Sequence, residues 1–292
     1  MDTSEDKIQR RIFATGTGDW RFFDYPMSTV HEAAQHWKRE LIGVEKPWLC
    51  WNVDHDWCLA QQRQVKSVGW TPVVGYDPRI GPPEIIKGAI LIDFNKTFRF
   101  PTMWLHFPLE FAHLFCKKLA FWHADLLLRQ PVAEKYALLF EKLEDGEMAA
   151  TPDYGGISRK IFRRHTQRYW EVLGCTTQGA SNSQFENGCG WWKGFFDHPQ
   201  NKKHPEIQRN LRKYYWDCGV GIMYWKRNIG GKIYDLNFKE VNEGHCTGIG
   251  RKDYIRSSPN NELRDLNAEL SSNYDLREVC KRLDVTFLLH NI

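Results

Sequence analysis

Residues 47–76 read PWLCWNV, then DHDWCLAQQRQVKSV, then GWTPVVGY, and this stretch sets the fold class. The first segment, 47–53, is a continuous apolar run of strand length. Asp54 stands where a side-chain carboxylate can accept from the first free amides of a helix, which the pattern then carries through Val68. Residues 71–76 are apolar again. Two apolar strands joined by a helix of that length form a βαβ unit, so the strands lie parallel with a right-handed crossover. The expected class is α/β, a Rossmann-like mixed sheet flanked by helices. In open sheets of this kind ligands sit beyond the carboxyl ends of the strands. That makes Asn52 and Asp54, after the first strand, and Asp77, after the second, candidates for contact with a nucleotide.

Outward from this unit, a third strand is expected at 89–94, a helix over 109–118, a strand over 119–128, a helix over 132–143 and a short strand at 147–151. Residues 217–225, DCGVGIMYW, read as a further strand whose glycines allow close backbone approach. A helix over 28–41, opened by Ser28 or Thr29, belongs to an N-terminal extension spanning 1–46. A helical segment near 275–283 belongs to a C-terminal cover over 257–292. The expectation for 1–292 is one domain carrying these two additions.

The chain has 292 residues, with 40 Lys and Arg against 36 Asp and Glu. A net charge of +4 is too small to argue for nucleic acid, whose binding needs cations concentrated on one face. With 26% charged and 42% hydrophobic residues, disorder and coiled coil are excluded. A mean hydropathy of −0.56 accompanies the lack of any apolar run near the ~20 residues that span a bilayer. The polar start MDTSEDKIQRR lacks the apolar segment of a signal peptide, so a cytoplasmic location is expected. Eight cysteines are scattered without a CxxC pair, which favours reduced thiols over a zinc ribbon. The basic run 159–165, RKIFRRH, reads first as a solvated helix face and second as a site for phosphate or an anionic surface.

The most informative residues are His123-Ala124-Asp125, inside FWHADLLLR. A polar triplet in an apolar strand is costly unless it lies at a bend or is paired. Alternate strand residues share a face, so His123 and Asp125 can point the same way. On the residues alone a hydrogen-bonding pair is the commoner outcome. The triplet resembles the DxD motif of glycosyltransferases of the GT-A fold, which ends a strand and holds a divalent metal, usually Mn²⁺, against the diphosphate of a nucleotide sugar. A second stretch, 243–253 (EGHCTGIGRKD), has the HxxGxx(K/R) spacing found in the glycogenin and galactosyltransferase-like members of that fold.

The resemblance implies Asp125 and His245 as metal ligands with His123 a third candidate, Gly248 beside the phosphates and Arg251 in contact with them. Imidazole and carboxylate together suit Mn²⁺ better than an all-oxygen calcium site. It further implies a catalytic role for Asp125, and for Glu186 as the base that deprotonates an acceptor hydroxyl. Trp191 and Trp192, after the glycine-rich 184–190, would form a sugar-stacking wall; the plainer reading of that stretch is a turn entering a buried strand. Asp153 would meet donor-sugar hydroxyls, and Lys117 with Lys118 the diphosphate.

The resemblance covers roughly 46–256 and departs in one respect: the first acidic position of DxD is His123 here. The implied partners are a nucleotide diphosphate sugar and a saccharide or other hydroxyl acceptor. The reaction inverts configuration if Glu186 is the base, and retention by same-face attack is open if it only binds sugar. Two other readings stand beside it. A metal-dependent nucleotidyltransferase would open with a glycine-rich basic loop, where this chain has Asn52-Val53-Asp54-His55-Asp56. A noncatalytic carbohydrate-binding or scaffold protein of the same fold is favoured by the His in place of Asp.

Overall fold

The computed structural model describes residues 26–100, 103–197, 201–210, 218–246 and 275–290. Helix α1 (Met27–Glu40) leads into β1 (Pro47–Asn52), α2 (His55–Ser67), β2 (Thr71–Tyr76) and the two-residue β3 (Ile90–Leu91). The short helices α3 (His106–Glu110) and α4 (Ala112–Phe115) follow, then β4 (Lys118–Trp122), α5 (Gln130–Glu141), β5 (Glu147–Asp153), α6 (Ile157–Phe162), β6 (Arg168–Thr177) and α7 (Gln178–Glu186). The chain continues through α8 (Lys193–Asp197), α9 (Pro205–Arg209) and α10 (Val220–Tyr224), which runs into a π-helical turn, Trp225–Ile229. The last elements are β7 (Lys232–Asp235), α11 (Phe238–Asn242) and α12 (Leu276–Leu283).

Seven strands form one mixed sheet in the order β3-β2-β1-β4-β6-β5-β7. Strands β1, β2, β3 and β4 run parallel, and β5 with β7 likewise; β6 is antiparallel to β4 and β5. The α/β class with flanking helices follows the expectation from 47–76. The sheet grows in both directions from β1, with β2 on one side and β4 on the other, so the strand order reverses between β1 and β4, and it is beyond the carboxyl ends at such a reversal that open α/β sheets bind ligands.

Every residue of β1 is buried, as a central parallel strand covered on both faces requires. Its alternate side chains join two separate apolar layers, Leu49 and Trp51 in one, Trp48 and Cys50 in the other. Trp48 packs on Trp122 and Phe140 with ring centroids 4.9 and 5.4 Å apart. On the opposite face α1 contributes Val30, Ala33, Ala34 and Trp37, the last against Phe94 and Phe115. The high aromatic content is therefore largely core: Trp37, Trp48, Trp51, Trp122, Trp191 and Trp192 are all fully buried. At the far end α12 starts on Asp275, whose carboxylate accepts from Arg277 and Glu278 amides, and buries Leu276, Val279, Cys280 and Leu283.

Several elements differ from expectation. The described part of 217–225 is a turn and a helix, not a strand: Gly219, at φ +81°, turns the chain into α10. A short apolar run with no period cannot separate a buried strand from a buried helix. The helix expected over 109–118 is two short ones broken at Phe111. The strand expected over 119–128 stops at Trp122 because the polar triplet is the bend. Strand β6, ten residues long and central, was not anticipated. Among the described residues no helix is long and apolar enough to cross a membrane.

Candidate metal centre at the carboxyl edge of the sheet

The turn after β4 is held by helix α2. Asp54 caps that helix, accepting from the Trp57 amide at 3.2 Å. Its buried face carries three glutamines where an ordinary core helix carries aliphatics. A buried amide group can donate and accept at once, and here it supplies the partners that a turn leaves without a ladder. Gln61 Nε2 donates to the carbonyls of His123 (2.7 Å) and Leu126 (2.9 Å), and Gln64 exchanges two hydrogen bonds with Leu128. On the other side the His123 amide donates to Val172 of β6 at 2.9 Å.

The 243–246 segment is laid against this turn as a short antiparallel bridge, Leu126 opposite His245. The Cys246 amide donates to Asp125 O at 2.8 Å and the Leu127 amide to Gly244 O at 3.4 Å. Gly244 is required there, since a Cβ on it would stand 1.8 Å from the Leu127 carbonyl oxygen. The Arg129–Glu243 pair closes the outer end at 2.6 Å.

Three side chains converge as a result. His245 Nε2 lies 3.2 Å from Asp125 Oδ1, His123 Nδ1 lies 3.2 Å from His245 Nε2, and His123 Nδ1 lies 3.6 Å from Asp125 Oδ1. Ligand atoms that share one first-row divalent cation at roughly 2.1 Å stand about 3.0–3.4 Å apart. The triangle is close to that size, and the residues fit such an ion. The second nitrogen of His123 is occupied as a ligating histidine needs: Nε2 faces Glu171 Oε1 at 3.3 Å, leaving Nδ1 for the cluster. His123 is the most exposed of the set, its side chain 24% accessible against 4% for His245, so the centre opens to solvent on that side.

Behind it lies a second group that the sequence reading missed. Glu171 Oε1 also meets His106 Nε2 at 2.9 Å, and Cys218 completes a buried His106, Glu171, Cys218 cluster whose ligand atoms lie within 4.8 Å of one another. The polar side chains thus alternate in charge from His106 through Glu171 and His123 to Asp125. Burial opposes ionisation of all four, and in each case the neighbours outweigh it. The Cys218 and Glu171 fields raise His106 well above the ordinary histidine value. Hydrogen bonds to Asp125 and Glu171 lift His123 to about 9. The two imidazoles beside each carboxylate hold Asp125 and Glu171 well below the usual carboxylate range. A single acid within the apolar stretch around Tyr169-Trp170-Glu171-Val172-Leu173 is the one local signal that could have marked Glu171.

The other sequence candidates fall in several places. Asn52 ends β1 fully buried, its amide donating to Gly81 O at 2.8 Å. Asp77, after β2, is fully buried and chelated by Arg79 at 2.8 and 2.7 Å, so neither oxygen is available to a nucleotide without breaking that pair. Asp54 serves as the helix cap. Asp153 is at the carboxyl end of β5, between Arg159 and Arg168, each at 3.3 Å. Arg251 and Gly248 lie outside the described residues.

Three placements run against the expected roles. Lys117 precedes the amino end of β4, with Lys118 its first residue, so both sit a whole strand away from His123, roughly 17 Å at 3.3 Å per residue. Trp191 and Trp192 are core side chains and form no open wall; Trp191 packs edge-on against Phe121 at 5.1 Å. Large indoles gain more from burial than from a solvent-facing loop. Glu186 ends α7 as an exposed residue whose carboxylate accepts from Asn182 at 2.9 Å, outside the His/Asp cluster.

The Trp191–Trp192 turn instead folds onto Glu110, whose carboxylate accepts the Trp192 amide. Burial raises this carboxyl to about 8, against the backbone amides and His106, which lower it. Between the ordinary value of 4.5 and that value the folded chain keeps a proton that the unfolded chain has lost, so stability falls as pH rises through this window. Glu110→Gln keeps the acceptor and cannot ionise. Its unfolding free energy relative to the parent is expected to rise by roughly 3 kcal/mol between about pH 5 and about pH 8, read by urea unfolding. A difference that does not change with pH would contradict a protonated Glu110.

Comparison of the chain with protein-family models, with curated proteins and with solved structures gives no match. The chemistry is thus read from the site: a candidate three-ligand face of two imidazoles and one carboxylate, oriented by a buried carboxylate, at the carboxyl edge of an α/β sheet.

Proposed function

We propose that this chain is a cytoplasmic, metal-assisted glycosyltransferase of the GT-A type, moving a sugar from a nucleotide diphosphate donor to an acceptor hydroxyl. One observation carries the reading: His123 and His245, 122 positions apart, meet with Asp125 at the carboxyl end of β4, where the strand order reverses. The resemblance of the two motifs implied that they act together, and a shared centre supports it.

His123, Asp125 and His245 would hold the cation, with Mn²⁺ the ion that best suits this mixed donor set. When bound, the ion supplies Lewis-acid neutralisation of the negative charge gathering on the leaving diphosphate. Glu171 fixes the His123 ring and thereby its ligating nitrogen. Asp125, held ionised by both histidines, is the anionic member of the set. The donor nucleotide would enter beyond β1, past Asn52 and Asp54, with Asp153 toward the sugar.

Thermal melting of the full chain against a panel of nucleotide diphosphate sugars, with and without Mn²⁺, tests this. A ligand at about 100 times its Kd stabilises by about 2.7 kcal/mol, which for a chain of this size raises Tm by roughly 5 °C. The expected result is such a rise for at least one donor, dependent on Mn²⁺, with slow hydrolysis of the same donor. If no donor moves the midpoint in either condition, the reading fails; a shift without turnover points to a noncatalytic sugar-binding protein.

A further inference from the structure

Helix α6 (Ile157–Phe162) buries none of its residues. Ile157 and Phe162 are each 77% exposed and Ile161 is 64% exposed, among the most open large apolar side chains described. Arg159, Lys160, Arg163 and Arg164 are interleaved with them, and residues 156–167 hold no acid. The segment is fastened by polar contacts instead of apolar ones. Arg159 reaches Asp153 across Gly155, whose φ of +63° brings the backbone so near that a Cβ would stand 2.5 Å from Arg159 Cδ. Arg227 Nη1 donates to Arg164 O at 2.5 Å.

This last contact joins the 3-10 turn that follows α6, Arg164–Thr166, to the π-helical turn Trp225–Ile229. Between them lies a cavity of about 450 Å³ whose walls include Lys160, Arg164, His165, Gln167, Tyr224 and Arg227. Ile229, at the end of the turn, is a further open apolar side chain, 41% exposed. Cations and large aliphatic or aromatic groups interleaved along one exposed segment match a surface that is anionic at its boundary and apolar just beneath. A nucleic acid would meet the cations but strand the isoleucines against phosphate. A second copy of the same face would set like charges against each other.

We propose that α6 and the Trp225–Ile229 turn form a seat for an anionic phospholipid bilayer. Ile161 and Phe162 enter the acyl boundary, and Arg163 and Arg164 take headgroup phosphates, while Arg227 holds the two parts of the seat together through Arg164 O and Gln167 Oε1. Within the seat, α6 follows the carboxyl end of β5, which is parallel to β4 through their shared antiparallel neighbour β6, so α6 leaves the sheet at the same edge as His123 and Asp125. It does not depend on the transferase reading.

Co-sedimentation of the full chain with vesicles of phosphatidylcholine alone, or mixed with phosphatidylglycerol, tests the proposal. Retention is expected only on the mixed vesicles and is expected to weaken with added salt. Each cation near such a surface contributes about a five-fold factor, so Arg163→Gln with Arg164→Gln should lose about 25-fold. Ile161→Ser with Phe162→Ser should lose about ten-fold or more. Both double variants change exposed side chains and should melt with the parent. Asp125→Ala should bind vesicles as the parent does, which separates this surface from the metal centre. The proposal is overturned by no retention on the mixed vesicles, by equal retention on both compositions, by double variants that bind like the parent, or by retention on an RNA homopolymer in place of lipid.

Discussion

On the transferase activity proposed above, Asp125→Ala is expected to lower metal-dependent turnover of the nucleotide sugar donor by about three orders of magnitude, the loss of several kcal/mol of charge stabilisation. Asp125 is the only carboxylate of the three converging side chains. Without it, two imidazoles are left to hold a cation that prefers at least one anionic oxygen, and one of them, His123, is itself drawn toward protonation by Glu171. The substitution also breaks a buried charge pair, which typically costs about 3 kcal/mol of stability. Asp125→Asn separates the two effects, because it keeps the volume and one acceptor for His245 while removing the charge. Calorimetric titration with Mn²⁺ should show both variants without measurable binding, while Glu134→Ala, an exposed carboxylate on α5, titrates like the parent. If Asp125→Asn binds Mn²⁺ and turns over donor at the parent's level, the centre has been assigned to the wrong residues.

Gly244→Ala should damage the same centre without touching a ligand. The added methyl would stand 1.8 Å from Leu127 O and 3.0 Å from a Leu283 methyl, so the 243–246 segment must move off the β4 turn. That movement stretches the hydrogen bonds from Cys246 to Asp125 and from Leu127 to Gly244, and carries His245 with it. Overpacking of this kind costs about 2 kcal/mol. A displacement on the order of 1 Å at a ligand is expected to lower metal affinity by about a hundred-fold. Gly43→Ala is the comparison: at φ +80° it is strained but has no atom within 4 Å, so it should lose about 1 kcal/mol and bind metal normally. Urea unfolding and Mn²⁺ titration on both variants decide the matter. Parent-like affinity in Gly244→Ala would show that the His245 segment is not held in place by this contact.

Much of the scaffold is local in origin and could be read from order alone. The β1–α2–β2 unit needed only two apolar runs, a capping aspartate and a helix-length spacer, each a property of neighbouring residues. The same holds for the apolar faces of α1, α5 and α12 and for the Asp275 cap of the last, whereas α1 opens on Pro26 and not on the expected Ser28 or Thr29, without a side-chain cap. The cost of a polar triplet in an apolar run also pointed to a bend or a pairing at His123, and both are present. Strand direction misled at Lys117: adjacency in sequence placed it near the motif, whereas β4 carries it to the opposite edge of the sheet. The resemblance misled at Trp191 and Trp192, for which it implied a sugar-stacking wall; the stretch is a turn that Glu110 draws inward, and both indoles are buried.

The sequence by itself determined the α/β class, the early elements and the bend at His123-Ala124-Asp125, because periodicity, capping and burial of apolar runs act between near neighbours. Only the tertiary structure decided that His245 meets Asp125, that Glu171 and His106 stand behind His123, and that α6 is left uncovered. Those facts depend on which distant segments share an edge of the sheet. That is set by the packing of the whole chain, through contacts such as Gln61 on the His123 carbonyl and Gly244 on Leu127, whose partners lie far away in sequence.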